Sequence, residues 1–345
     1  MADRKIRTME EFATASGFSR PTVSKYFNDP ASVREGTRSR IEQALKEHDY
    51  RPSLFAVNLN RRKPRVVGVV VPYTTDPFYA EVTRHVELRC IQSGFLAVVL
   101  NSHGDPRLEA RAIQTLRSLR IAGAIVAPLG FGSDAGLMHR LLQDIPVVFL
   151  DSRLDDEAPF VGTDNDQSIG LMVDYLSRTG APPAFFEMPE VNRNALERRD
   201  AYLRAMERLG LAPELISPAD RHTWNFEEVG YAGALRMIDG SGFPTRTVLC
   251  ANDRLAFGVM SAACERRVKV GRGSSDLRVA GHDDHPLSRY ACPSLTTVAQ
   301  DYDRLGHLCV DVLLAKIGDG TAAGEGGEPP DRILLAAKLV MRASA

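Results

Sequence analysis

The hydrophobic pattern changes its period once along the chain. Over residues 1–50 apolar positions recur at helical spacing and predict three short helices. Thr8-Met9-Glu10-Glu11 reads as a capping box, with Phe12, Ala13 and Ala15 as the apolar stripe behind it. Gly17 supplies a tight turn. A second helix starts from a Ser19 cap with Pro21 in its first turn, buries Val23, Tyr26 and Phe27, and stops at Asn28-Asp29-Pro30. A third runs from about Arg34 to His48 with Ile41, Ala44 and Leu45 inward, and Ser32 with Glu35 offers it a capping box. Helix, short Gly-containing turn, helix is the helix-turn-helix pattern.

From Val66 the pattern becomes strands alternating with helices. Strands are predicted at Val66–Val71, Phe95–Leu100, Ala122–Ala127, Val147–Leu150, Ala184–Glu187, Thr247–Ala251 and Leu277–Ala280. Helices are predicted at Pro77–Ser93, Pro106–Leu119, Asp134–Gln143, Asp166–Arg178, Arg193–Leu209, Phe226–Ile238 and Arg254–Arg267. This is an α/β series, enough for two doubly wound parallel sheets with a ligand cleft where strand ends face each other. The organisation is a head (1–50), a hinge or linker (51–65) and a core (66–345). Within the core, residues 66–165 plus 297–327 are expected to form one lobe, and 166–296 plus 328–345 the other. The linker is long enough for one or two helical turns, marginal unless something holds them. Gly318–Pro330 reads as a loop rich in Gly, Ala and Glu.

Composition narrows the class. At 345 residues, 44% hydrophobic and 25% charged, the chain suits a small domain plus a larger one. Residues 1–20 are charged and polar, and no apolar run is long enough to span a bilayer, so a cytoplasmic location is expected and no membrane partner. Five scattered cysteines without a C-x-x-C spacing argue against a disulfide framework or a structural zinc site. Residues 1–65 hold 14 Lys and Arg against 8 Asp and Glu, while the remainder holds 29 against 36. A basic head on an acidic body suits a head that meets a polyanion.

Separated blocks then occur in a telling order. The head carries Thr8 to Ala13, Gly17 to Lys25, Thr37-Arg38, Tyr50-Arg51-Pro52 and Ala56…Leu59. The core carries Asp164-Asn165, Glu197-Arg198, Asn252-Asp253…Ala256-Phe257-Gly258, Gly281-His282-Asp283-Asp284 and Leu295 to Gln300. Over essentially its whole length the chain resembles the lactose-repressor (LacI/GalR) family of bacterial regulators. It departs from the family pattern at Pro21, Arg34, Ala201 and His282, which leaves operator sequence and effector open. The resemblance implies a periplasmic-binding-protein-like core and a homodimer on a palindromic double-stranded DNA operator. It also implies hinge helices that pair and enter the minor groove, with Leu59 as the wedge between bases and Ala56 permitting close approach.

In the head, Thr8, Ser19, Arg20, Pro21, Thr22, Ser24 and Lys25 are the DNA candidates, with the second helix in the major groove. Arg20 can bridge guanine O6 and N7 or contact a phosphate; Pro21 can only pack on a thymine methyl; Lys25 reaches either target. In the core, the resemblance places a small effector between the lobes, against Asp151, Arg198, Asn252 and Asp283. Two carboxylates, an amide and a guanidinium suit a sugar's hydroxyls. Phe78 and either Trp224 or Phe226 supply aromatic walls, and Arg153 suits an anionic ligand group or a surface salt bridge. Asp253 is expected to cap the helix that it begins.

The expected mechanism is a repressor released by a sugar; a corepressor-dependent regulator sensing a nucleobase uses the same parts. A sugar-processing enzyme fused to the head would need a catalytic dyad or phosphate loop, and none is seen. An exported transport protein would need a signal and no helix-turn-helix. His282-Asp283-Asp284-His285 imitates a metal cluster and Gly130–Gly136 a dinucleotide loop, but neither has the right spacing, so no metal or cofactor is expected. Ending at Ala345 without a heptad helix favours a dimer over a larger assembly.

Overall fold

The structure is a computed structural model, and it describes residues 6–51, 64–130, 132–154, 158–318 and 330–345. Two compact units result, the head and the core. In the head, α1 (Met9–Ser16), α2 (Arg20–Asn28) and α3 (Glu35–Glu47) surround Phe12, Ala13, Val23, Ile41, Ala44 and Tyr50, with Tyr26, Phe27 and Leu45 packed on them. Tyr50 stacks on Phe12 with centroids 4.7 Å apart. Ala15 is exposed, because the α1 stripe narrows to the face that meets α2.

The capping reads largely as expected. Thr8 and Glu11 form a reciprocal box, Ser19 accepts from the Thr22 N–H, and Gly17 ends α1 at φ +71°, a conformation that costs glycine nothing. The third helix differs: Arg34 caps it without a side-chain bond, and Ser32 donates instead to the Asp29 carbonyl in a short 3₁₀ turn.

The core has one six-stranded sheet and one four-stranded sheet. The first contains β1 (Val66–Val71), β2 (Leu96–Asn101), β3 (Gly123–Val126), β4 (Val147–Leu150), β5 (Phe160–Thr163) and β11 (Arg332–Leu335), in the order β11-β5-β4-β3-β1-β2. The second contains β6 (Ala184–Phe186), β7 (Leu215–Ile216), β8 (Thr247–Cys250) and β9 (Arg278–Ala280), all parallel, in the order β7-β6-β8-β9. β10 (Thr297–Ala299) and β12 (Lys338–Val340) pair antiparallel in a small ribbon. The helices are α4 (Pro77–Gln92), α5 (Pro106–Ser118), α6 (Ala135–Asp144), α7 (Asn165–Thr179), α8 (Arg193–Arg208), α9 (Phe226–Asp239), α10 (Asp253–Glu265) and α11 (Tyr302–Ile317). None of them is long and apolar enough to cross a membrane.

β1 and β4 fall where the pattern put them, because unbroken apolar runs in a parallel sheet are buried on both faces. The expected lobe boundary near residue 328 is corrected. Residues 332–335 pair parallel with β5, so the chain stays in the first sheet to Leu335 before it crosses. Three segments connect the sheets, and they are tied together. The Thr163 hydroxyl donates to Gln300, the Asp164 N–H bonds the Leu335 carbonyl at 2.9 Å, and Gln167 exchanges two bonds with the Ala337 backbone.

In the second lobe α9 and α10 touch backbone to backbone. A Cβ on Gly258 would lie 2.1 Å from the Glu227 carbonyl, and one on Gly230 2.2 Å from that of Leu255. Gly258→Ala is expected to destabilise this lobe by about 2 kcal/mol through overpacking. A thermal melt followed by circular dichroism checks this, and an unchanged midpoint would contradict the contact.

Candidate effector cleft and DNA-facing helix

The cleft is built on loops at strand carboxyl ends. Asp151 follows β4 with φ +63° and is nearly buried. Its carboxylate accepts from the Tyr79 hydroxyl at 2.9 Å, and its carbonyl from the Asn194 amide at 3.2 Å. Across the cleft, Arg198 is also buried, with every nitrogen engaged. Nε donates to Asn165 Oδ1 at 3.1 Å, Nη1 to the Ala251 carbonyl at 2.8 Å, and Nη2 lies 3.3 Å from Asp283 Oδ1. Asp283, after β9, also accepts from His282 Nδ1 at 2.9 Å and Gln300 Nε2 at 2.7 Å.

The two carboxylates are pushed apart electrically. Burial drives the Asp151 carboxyl up to about 7, only partly opposed by Arg198 and the Tyr79 bond. Burial would raise Asp283 too, but Arg198, His282 and Gln300 outweigh it and hold Asp283 below the usual carboxylate range. Burial and Arg198 push His282 down to about 4, so it is neutral: its Nδ1–H donates to Asp283 and its Nε2 accepts from Ser168 at 2.9 Å.

An aromatic wall closes the other side. Trp224 lies with its ring centroid 5.5 Å from Tyr73 and 5.7 Å from Phe226. Gly104 lets it come close: at φ +66°, a Cβ there would sit 2.5 Å from the indole. Phe78 packs edge-on to Tyr79 and Tyr302. Arg254 bridges the lobes at the rim, with Nη1 2.9 Å from Asp76 Oδ2 and Nη2 2.7 Å from Glu227 Oε2, and stands 4.9 Å over the Phe226 ring. Ser102 Oγ, Ser152 Oγ and Asn192 Oδ1, each in a loop after a strand, are buried without a hydrogen-bond partner.

The expected residues are therefore placed as follows. Arg198 pairs with Asp283, and Asp151 lies near enough to feel both charges; Phe78 and Trp224 pack on Tyr79, the partner of Asp151, and Phe226 on Trp224. Arg198 lies five residues into α8, and Asn194 occupies the first turn. Asn252 is the helix cap, its Oδ1 accepting from the Leu255 N–H at 2.8 Å, which leaves its amide nitrogen and one lone pair of Oδ1 for other partners. Asp253 is not the cap; it accepts from Ser288, Thr297 and the His285 N–H. Arg153 lies over the Phe160 ring, 5.5 Å from its centroid. His282 to His285 do not converge on one point: His282 bonds Asp283 and Ser168, whereas Asp284 turns to Arg342 and His285 to the Leu287 N–H. Tyr73, Asp76, Tyr79, Asn194 and Arg254 were missed. Asp76-Pro77, a cap before a helix, was the available signal for the rim.

On the head, Arg20, Pro21 and Lys25 are exposed along the first turns of α2, and Ser24 is half-buried. Thr22 and Ser19 share a hydroxyl bond of 2.8 Å, so both are first of all capping groups. Thr8 is exposed at the α1 cap, and Arg20 lies 3.8 Å from Glu10. Ala56 and Leu59 lie outside the described residues.

Two parallel lobes around a polar, ring-walled cleft, together with a helix-turn-helix unit, define a ligand-responsive DNA-binding protein. The comparisons agree. Residues 8–53 match the lacI family of bacterial regulatory proteins, and residues 173–345 a periplasmic binding protein-like domain. The ribose operon repressor of Escherichia coli K12 is 30% identical over 323 residues, 92% of this chain and 94% of that protein. The repressor PurR of Haemophilus influenzae PittEE is 29% identical, with 98% of each chain covered. The lac repressor dimer bound to operator and the anti-inducer ONPF superposes with a TM-score of 0.81 at 25% identity, covering 98% of each chain. The chain belongs to the lacI family, and it is a DNA-binding repressor.

Asp151 and Asp253, both raised by burial to about 7, make the native core bind more protons than the unfolded chain between the ordinary carboxylate value and that point. Stability from these groups is full at low pH and is lost as pH rises toward 7. Asp151→Asn is expected to flatten this fall, by on the order of 2 kcal/mol between pH 5 and 8. Melting midpoints across that range decide it; parallel wild-type and variant curves would exclude Asp151.

Proposed function

We propose that the protein is a homodimeric, cytoplasmic repressor that leaves a palindromic operator when a neutral, polyhydroxylated small molecule of the sugar class enters the cleft. One observation carries the ligand class. Among the described residues, the guanidinium at the centre of the polar group, Arg198, has its nitrogens engaged, while the Ser102 and Ser152 hydroxyls and the Asn192 amide oxygen have no partner. Such a set rewards hydroxyls rather than a phosphate. The rings of Phe78, Trp224 and Phe226 give a sugar's C–H face a surface to pack on. The similarity to the ribose operon repressor points the same way.

In the head, Arg20 and Lys25 read base edges or phosphates, Pro21 packs on a methyl, and Thr8, Ser19, Thr22 and Ser24 bond the backbone of the DNA. Leu59 wedges the minor groove beside Ala56. Ligand and operator then weaken each other by the same factor. The PurR similarity and the number of rings favour a second reading, in which a nucleobase strengthens DNA binding. The chain catalyses no reaction in either reading.

The test is selection of genomic fragments by the purified protein at physiological salt. A small palindromic set beside transport or catabolic genes is expected, and it nominates the effector. Uniform, salt-sensitive capture of all fragments would sink the proposal. Two variants then separate the roles. Arg20→Ala should weaken operator binding roughly tenfold or more and relax one base position. Arg198→Ala should lower the melting midpoint and, assayed below it, keep operator binding while losing the ligand response; a normal dose response in that variant removes Arg198 from the site.

A further inference from the structure

A second group of ligating side chains lies in the first lobe, where α4 packs against α11. His85 comes from α4, and Asp303 and His307 from successive turns of α11. His85 Nδ1 is 2.9 Å and His307 Nδ1 3.2 Å from Asp303 Oδ1, and the three ligand atoms all lie within 4.8 Å of one another.

We propose that His85, Asp303 and His307 bind one divalent transition-metal ion of the zinc class. In a tetrahedral site with bonds of about 2.0–2.2 Å, neighbouring ligand atoms stand roughly 3.3 Å apart. Both measured separations are close to that edge. Two imidazoles and one carboxylate favour zinc, cobalt or nickel over magnesium or calcium, and water completes the fourth position.

The frame holding these groups is stiff. Gly306 sits between the two α11 ligands, and a Cβ there would lie 2.6 Å from the His85 Cβ and 3.0 Å from the Val82 carbonyl. The helices therefore meet at backbone distance, which fixes the His85 stem against α11. In the metal-free protein His307 Nδ1–H donates to the Asp303 carbonyl at 2.8 Å, a bond that the ion would replace, and the His85 and His307 rings are 5.9 Å apart. On the outer side of His85, Arg84 Nη2 is 2.8 Å from Nε2 and is also held by Glu81. With metal on Nδ1 each neutral ring keeps its proton, moved to Nε2. Arg84, whose Nη2 faces His85 Nε2, would turn away from that proton on binding.

The ion would clamp the two helices whose first turns reach the effector cleft: Phe78 on α4 and Tyr302 on α11 are edge-on neighbours. Metal would thus act on the spacing of one cleft wall, from a site separate from the Asp151 and Arg198 cluster.

The experiment uses tag-free full-length protein stripped with chelator and desalted. Cobalt(II) alone is titrated by visible absorption, and zinc(II) alone by calorimetry. One ion per chain is expected, with the ligand-field bands of a four-coordinate site, cobalt displaced by zinc, and a higher melting midpoint with metal. His307→Ala and Asp303→Asn should each weaken binding roughly tenfold or more while melting with the metal-free wild type. His139→Ala, at an exposed histidine on α6, should change nothing. No saturable binding, or equal binding by the His307 and Asp303 variants, would overturn the site and leave a hydrogen-bonded His-Asp-His cluster. If His85→Ala fails to fold, the two α11 positions, exposed Asp303 and half-buried His307, still decide.

Discussion

A buried guanidinium must find partners for every N–H, and the candidate effector cleft is organised around that demand at Arg198. Its three bonding directions run to Asn165 at the first crossing between lobes, to Ala251 at the end of β8 and to Asp283 beyond β9. One side chain therefore ties together three segments that the chain visits far apart. Removing it would leave Asp283 buried with an uncompensated charge, an arrangement far costlier than the ion pair is favourable. The same cation explains the division of labour between carboxylates. Asp283 sits against it and stays ionised, whereas Asp151, with a phenol as its nearest partner, is balanced near neutrality.

Much of this was legible in the chain. Val66–Val71 and Val147–Leu150 announce themselves as buried parallel strands because nothing polar interrupts them, and Thr8 with Glu11 announces a helix start. The later part was harder. Arg332–Leu335 and Lys338–Val340 are short, carry charges and contain exposed positions, so periodicity alone does not mark them as strands; only pairing with β5 and β10 makes them so. Ordered motifs pointed to Asp151, Arg198 and Asp283 as candidates at strand ends. They did not locate Tyr79, Asn194 or Arg254, whose roles arise from which lobe each faces. The exchange between Asn252 and Asp253 is similar: both can cap, and the choice was made by three donors reaching Asp253 from Ser288, Thr297 and His285.

The head shows the opposite balance. Its core is small, and a ring stack of Phe12 on Tyr50 closes it with a residue beyond the last helix. That keeps α2 presented on a frame with few buried side chains, so its exposed face is free to vary. Pro21 and Arg34, the two departures from the family pattern in the head, both fall at helix starts. A proline is tolerated at the first, and the second does without a side-chain cap.

The Arg254 bridge bears on how a ligand gets in. Arg254 holds Glu227 on its own lobe and Asp76 on the other, and Asp76 also caps α4 through the Phe78 N–H. When the lobes part, each charged group therefore keeps one companion, and no bare ion is stranded on the way. The bridge can be broken and remade because neither end depends on it alone: Arg254 keeps Glu227, and Asp76 keeps the Phe78 N–H.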